Sequence, residues 1–447
     1  MRTPFATAQR SGRSSLIAAL TLVLGGVLLV VTVIAVTRGP DEPAPAAIQA
    51  SGTVAADPLS RAIAQAQEQL RRNPDDARTW AELGSAYVER ARITGDPAYY
   101  ERAQGALDRS MQVQPTANAE AMIGLGALAN ARHDFAGARD WAVQARELRP
   151  RTPAVYGVLA DALTQLGDAE GATAAVQQML DIRPGIASFT RASYDLELHG
   201  RVDDARVALD KALENAFGQV DLAFVRYYLG ELAFNSGDLH EAAAQYERGL
   251  LAAPDDAVLR QGRAKVAAAR GDLEQALADY QTVTNRVPLP QYVQEYGELL
   301  LVAGREDEAQ AQFDLFIAQQ QLYEAAGSVD DLAVSQFAVD HGDPAEALRR
   351  AEAEWDRRQS VFVADAMAWA LHANGRDAEA LEYADRAAAL GWRNATFGYH
   401  RGMILAELGR SAEAEAQLTD ALALNPHFSP LHVPRARAAL DQLRSAG

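Results

Sequence analysis

The chain opens on one unbroken apolar run and then settles into short apolar stripes at helical spacing. Leu16 to Val36 reads LIAALTLVLGGVLLVVTVIAV, without a charge and with only Thr21 and Thr32 polar. About 20 apolar residues at a rise of about 1.5 Å match a hydrocarbon core of ~30 Å. The pattern therefore predicts a transmembrane anchor over 16–36. Arg2, Arg10 and Arg13 precede it, whereas Arg38 is followed at once by Asp41 and Glu42, and this bias keeps residues 1–15 cytoplasmic and sends the remainder out of the cytoplasm. A cleaved signal peptide, giving a secreted protein, is the alternative, although its apolar region normally runs only ~7 to 15 residues. Residues 37–57, rich in Pro and Ala, have no period and read as a flexible linker.

Residues 58–74 predict a lone capping helix, and from 75 to 427 a frame of about 34 residues recurs ten times. The first copy reads Trp80-x2-Leu83-Gly84-x2-Tyr87, then Ala103-x3-Leu107 and Pro115. Leu229-Gly230, Ala242, Tyr246 and Pro254 repeat it, as do Gly271, Ala276, Tyr280 and Pro288, and finally Gly402, Gly409, Ala414, Leu418 and Pro426. Each position has a physical reason. Small residues such as Gly84, Gly230 and Ala242 let two helices cross closely, and Leu107, Tyr246 or Phe313 fills the space around the crossing. Gly167-Asp168, Gly237-Asp238 and Gly271-Asp272 end one helix with Gly and offer Asp as the N-cap of the next. Residues 428–447 predict a closing helix and tail.

This frame resembles the tetratricopeptide repeat family, and with its anchor the chain looks like a bacterial membrane-anchored member of unassigned role. The resemblance implies an all-α, right-handed superhelical solenoid of about ten helix-turn-helix repeats, with a concave groove lined by the first helix of each. Two departures stand out. The first repeat carries extra residues between Arg90 and Glu101, and repeats four and seven lack a closing Pro, where a change of pitch is expected.

Charge narrows the partners. The net charge is −18, and four Arg without an acid in residues 1–38 leave −22 on the rest, a poor surface for nucleic acid. The absence of Cys removes disulfides and thiolate chemistry. Gly124-x-Gly126-x-x-Ala129 imitates a dinucleotide fingerprint but lies on a helix in frame positions. His133, His199 and His341 fall at helix ends, where an imidazole suits the dipole. His400, His427 and His432 lie close in sequence; a metal pair or a Pro-braced loop seating the last helix are the two readings. No catalytic residue, cofactor, metal or small-molecule substrate is expected.

In the family's clamp, the fifth and ninth repeat positions carry Lys and Asn that hold a C-terminal carboxylate. Here those positions hold an aromatic and acidic stripe instead: Tyr194, Tyr227, Trp369 and Tyr399 with Asp161, Glu231, Glu298 and Asp365. Either these are partner anchors or they pack against the neighbouring repeat. The expected function is a membrane-tethered scaffold binding proteins or peptides with basic and apolar segments in that groove. A self-assembling solenoid, or a secreted enzyme's accessory subunit, is the alternative.

Overall fold

The computed structural model describes residues 57–446, which are all helix and connecting turns. The anchor at 16–36 and its linker lie outside the described residues; among those described, no helix is long and apolar enough to cross a membrane. The first helix, α1 (Pro58–Arg72), precedes ten hairpins. Hairpins 1 to 5 are α2 (Ala77–Thr94) with α3 (Ala98–Val113), α4 (Ala119–Ala131) with α5 (Phe135–Leu148), α6 (Pro153–Leu166) with α7 (Ala169–Ile182), α8 (Ile186–Leu198) with α9 (Val202–Glu214), and α10 (Gln219–Asn235) with α11 (Leu239–Ala252). Hairpins 6 to 10 are α12 (Ala257–Ala269) with α13 (Leu273–Arg286), α14 (Pro290–Val302) with α15 (Glu306–Ala325), α16 (Asp331–His341) with α17 (Pro344–Arg357), α18 (Val361–Ala373) with α19 (Asp377–Ala387), and α20 (Ala395–Glu407) with α21 (Ser411–Leu424). Helix α22 (His432–Ala446) closes the array.

The helices start and stop where backbone chemistry requires. Side chains of Asp76, Asp134, Asp168, Asp238 and Asp272 each accept from a backbone N–H of the first turn, satisfying donors that the helix leaves orphaned. Within a hairpin, Gly230 shows why small residues sit at the crossing. A Cβ there would overlap the Tyr246 ring, which also fills the space beside Gly262 of the next hairpin. Where the extra residues of the first repeat fall, α2 extends to 18 residues. Where repeat seven lacks its Pro, α15 runs on to 20.

The array winds back on itself, so hairpins 6–10 lie over hairpins 1–5. The contacts form a seam with one rule: the turn inside an early hairpin meets the C-terminal end of a late hairpin or the segment that follows it. Tyr323 Oη donates to the Gly95 carbonyl at 2.9 Å. His133, in the left-handed region at φ 63°, points Nδ1 toward Asp330 at 3.7 Å. Gly167 lies against the Gln359 carbonyl, Gly200 against that of Gly391, and Gly237 against that of Leu424. Asn425 Nδ2 also donates to the Phe234 carbonyl at 2.8 Å. A buried cluster of Leu198, Leu332, Phe362 and Ala366, joined by Trp392 and Phe397, fills the space between the windings.

Candidate functional site

The first helices of successive hairpins face inward, and their polar residues pair from one hairpin to the next. Arg191 donates to both carboxylate oxygens of Asp161, at 2.8 and 2.7 Å. Lys265 donates to both oxygens of Glu231, at 2.7 Å each, and Tyr246 Oη adds a bond at 2.5 Å. Gln261 and Tyr280 hold Glu295 at 2.6 and 3.1 Å. His341 Nε2 lies 3.2 Å from Glu298, and His400 Nδ1 lies 3.0 Å from Asp365. A frame of about 34 residues brings equivalent positions of adjacent first helices side by side, so a carboxylate in one hairpin meets a cation or donor in the next.

This pairing corrects the picture of the stripe as an open row of anchors. Tyr227, Trp369 and Tyr399 are 3%, 7% and 1% exposed. Tyr227 packs edge-on to Tyr228, Trp369 lies between the rings of His372 and His400, and Tyr399 stacks on His432. Burial pushes the Tyr227 and Tyr194 hydroxyls well above the ordinary tyrosine range, and that of Tyr399 up to about 12. Glu231, Glu298 and Asp365 are already engaged by Lys265, His341 and His400 respectively. Tyr194, only partly buried, packs on the cluster between the windings. The structure thus brings these residues together as repeat-to-repeat contacts. The physical reason is the winding, which narrows the concave side until its side chains meet one another.

Closure also shifts the pKa values of carboxylates. Burial pushes Glu197 and Glu295 up to about 7, partly offset at Glu197 by Asn235 and Trp392, and at Glu295 by Lys265, Gln261 and Tyr280. Asp340 goes the other way. Burial would raise it, but His432, at 3.0 Å, outweighs that effect and holds it below the usual carboxylate range. His400 and His432 are therefore each committed to a carboxylate, seating α22. Among the described residues no cluster of three or more His, Asp or Glu could hold a metal ion.

Free surface lies elsewhere. Phe217 and Leu251 are 89% and 83% exposed, and Leu148 and Val220 are exposed too. All four sit at junction ends of hairpins 2 to 5: Leu148 ends α5, Phe217 joins α9 to α10, Val220 opens α10, and Leu251 is in the last turn of α11. At the corresponding junctions of the second winding Leu289, Ser328, Ser360 and Asn425 are buried, while Leu322 and Val329 at the end of hairpin 7 are exposed. No repeat-frame pattern marks this edge in the sequence. Its one local signal is the missing Pro at Ala216-Phe217-Gly218.

A tetratricopeptide repeat family model matches residues 399–428, the tenth hairpin. Similar solved structures include a thermophilic TPR protein of Thermus thermophilus, at 23% identity over 38% of this chain and 92% of that one, with a TM-score of 0.35. A tetratricopeptide repeat protein from Parabacteroides merdae shares 18% identity over 58% of this chain and 98% of its own, TM-score 0.35. The human IFIT1 dimer with PPP-AAAA shares 14% over 81% and 87%, TM-score 0.44. No curated protein sequence matches.

Proposed function

We propose that this chain is a membrane-tethered scaffold of bacterial type, held by the apolar run at 16–36, whose helical array collects protein or peptide partners outside the cytoplasm. Repeat arrays of this kind commonly mediate protein–protein interaction. The observation that carries the reading is the free junction edge of the first winding, with Leu148, Phe217, Val220 and Leu251 exposed on it. Large apolar side chains cost solvation unless something covers them, and the two most exposed of them, Phe217 and Leu251, both lie on this edge. The partner fits this edge rather than the filled groove. It presents apolar side chains, with Lys or Arg to exploit a body charge of −22.

Photo-crosslinking residues placed at Phe217 and, as a control, at Gly409 of the full-length chain in intact cells test the reading. Crosslinks should form from position 217 and fall at least tenfold in a Leu251→Ser background. Equal capture from both positions sinks it. Protease added to spheroplasts should digest the repeats; protection until lysis would overturn the proposed topology.

A further inference from the structure

The closing Pro missing from repeat seven leaves α15 at 20 residues, about 30 Å long. One face of it is spent on the array, where Ala309, Phe313, Phe316, Gln319 and Gln320 are buried. The opposite face has no cover. Ala311, Leu315, Ala318, Leu322 and Ala325 are all exposed, at successive spacings of 4, 3, 4 and 3, and on a helix that spacing makes one continuous apolar stripe. Leu315 and Leu322 are two of the four exposed leucines among the described residues, and no other described helix carries two. Charge is thin here as well. From Ala309 to Tyr323 the only charged residue is Asp314, on a body that carries −22. An exposed apolar stripe of this kind, cleared of charge, is the mark of a protein contact.

The order of sizes along the stripe points to what covers it. Leucine and alanine alternate. A second α15 laid alongside in the same direction would set Leu on Leu and Ala on Ala, leaving hollows at the alanine layers. Turned end for end, it reverses the 4 and 3 spacings, and every Leu then meets an Ala: Leu315 lies over Ala318 of the partner subunit, and Leu322 over Ala311 of the partner subunit. The same register sets Gln321 against Asp314 of the partner subunit, an amide donor against a carboxylate that within its own helix takes Gln310 Nε2 at 2.9 Å, and it opposes no like charges. Shape and charge are thus both completed by the same helix inverted. We propose that α15 is the contact of an antiparallel homodimer whose two-fold axis passes midway between Leu315 and Ala318. Such a contact is isologous and closed, so it makes pairs and not filaments. Four layers are a small interface. Two chains held on one membrane, as proposed above, meet at a raised effective concentration at which a small interface suffices.

The chain has no Cys, so introduced thiols report without background. Two differently tagged full-length copies are made in the same cells, and intact cells are treated with copper phenanthroline. Leu315→Cys in one copy and Ala318→Cys in the other should give a disulfide-linked dimer bearing both tags, at least tenfold above the yield from Leu322→Cys in both, the pairing that a parallel dimer would link. Without thiols, the two tags should co-purify. Leu322→Glu in one copy should cut that recovery at least tenfold by setting a charge against apolar surface, and Ala311→Lys in the other copy should restore it. Val207→Glu, an equal change at an exposed apolar residue of α9, should leave it unchanged. Absence of the linked dimer from Leu315→Cys with Ala318→Cys, a dimer linked only through Leu322→Cys, or recovery indifferent to Leu322→Glu overturns the proposal. None of these readouts depends on where the chain resides, so failure of the membrane reading, seen by protease, stays separate from failure of the dimer.

Discussion

The turns inside hairpins 3 and 5 and the turn inside hairpin 6 are written in the same two letters and live in different surroundings. Gly167-Asp168, Gly237-Asp238 and Gly271-Asp272 all place Gly in the left-handed region, at φ 84°, 79° and 80°, with Asp capping the next helix. Yet Gly167 and Gly237 are pressed against carbonyls of the second winding, whereas Gly271, like Gly304, Gly375 and Gly409, has nothing near it. The same local device ends a helix in one winding and, in the other, also makes a tertiary joint. Charge follows the same division. Burial raises Glu197 and Asp195 beside the docked fourth turn, while at the free turns Arg305, Arg376 and Arg410 hold Glu308, Glu379 and Glu413 below the usual range.

The largest test of that difference uses arginines. Arg358 bonds Glu354 and Gln165, stacks over Phe135 at 4.7 Å, and is buried with Glu354 at the seam. Arg358→Ala should cost about 3 kcal/mol, because buried Glu354 is left with only the more exposed Arg357 and Gln165 loses its partner across the seam. Arg410→Ala, which removes an exposed pair with Glu413, should leave stability nearly unchanged, since water screens that pair. Denaturant unfolding of the two variants giving similar losses would break the comparison.

Glycine gives the next test. Any Cβ at these turns incurs the left-handed penalty of about 1 kcal/mol. Gly271→Ala should lose about that much, and Gly167→Ala about 3 kcal/mol in all, since its Cβ also meets the Gln359 backbone. Equal melting temperatures for the two would mean that the windings are not in contact in solution.

The smallest expected effect is in pH. Glu197 stands at about 7 in the fold against an ordinary 4.5. The folded state therefore holds its proton more tightly than the unfolded chain. That contribution is fully present below about 4.5 and is lost as pH rises through about 7. Glu197→Gln should stabilise the protein at pH 8 by about 1 to 3 kcal/mol and do little at pH 4. At the free turns, the lowered Glu413 gives the opposite sign, with stability lost as pH falls. A thermal-melt profile in which Glu197→Gln parallels the parent at every pH would remove Glu197 from the account.

Hairpins were legible in the sequence because their determinants are local. Gly230 and Tyr246 are 16 residues apart, and a capping Asp acts on the N–H three positions on. The winding was not legible, because Gly167 and Gly271 carry the same signal and only Gln359, far along the chain, distinguishes them. The stripe at Tyr227, Glu231, Trp369 and Tyr399 was found as a pattern, but its burial follows from pairing with Lys265, His400 and His432 across hairpins, which no single frame reveals.

The seam also sets a timetable for synthesis. Asn425 and Phe234 are 191 positions apart, and Tyr323 and Gly95 are 228 apart. At about 5 to 20 residues per second, each early turn waits roughly 10 to 45 s for the segment that will cover it. During that interval the first five hairpins exist as an open coil, with Leu198 and the turn glycines facing solvent or whatever escorts the nascent chain. Closure then proceeds rung by rung from Gly95 toward Gly237 as the later junctions emerge, and the last of them, at Asn425, forms only once the tenth hairpin has been made.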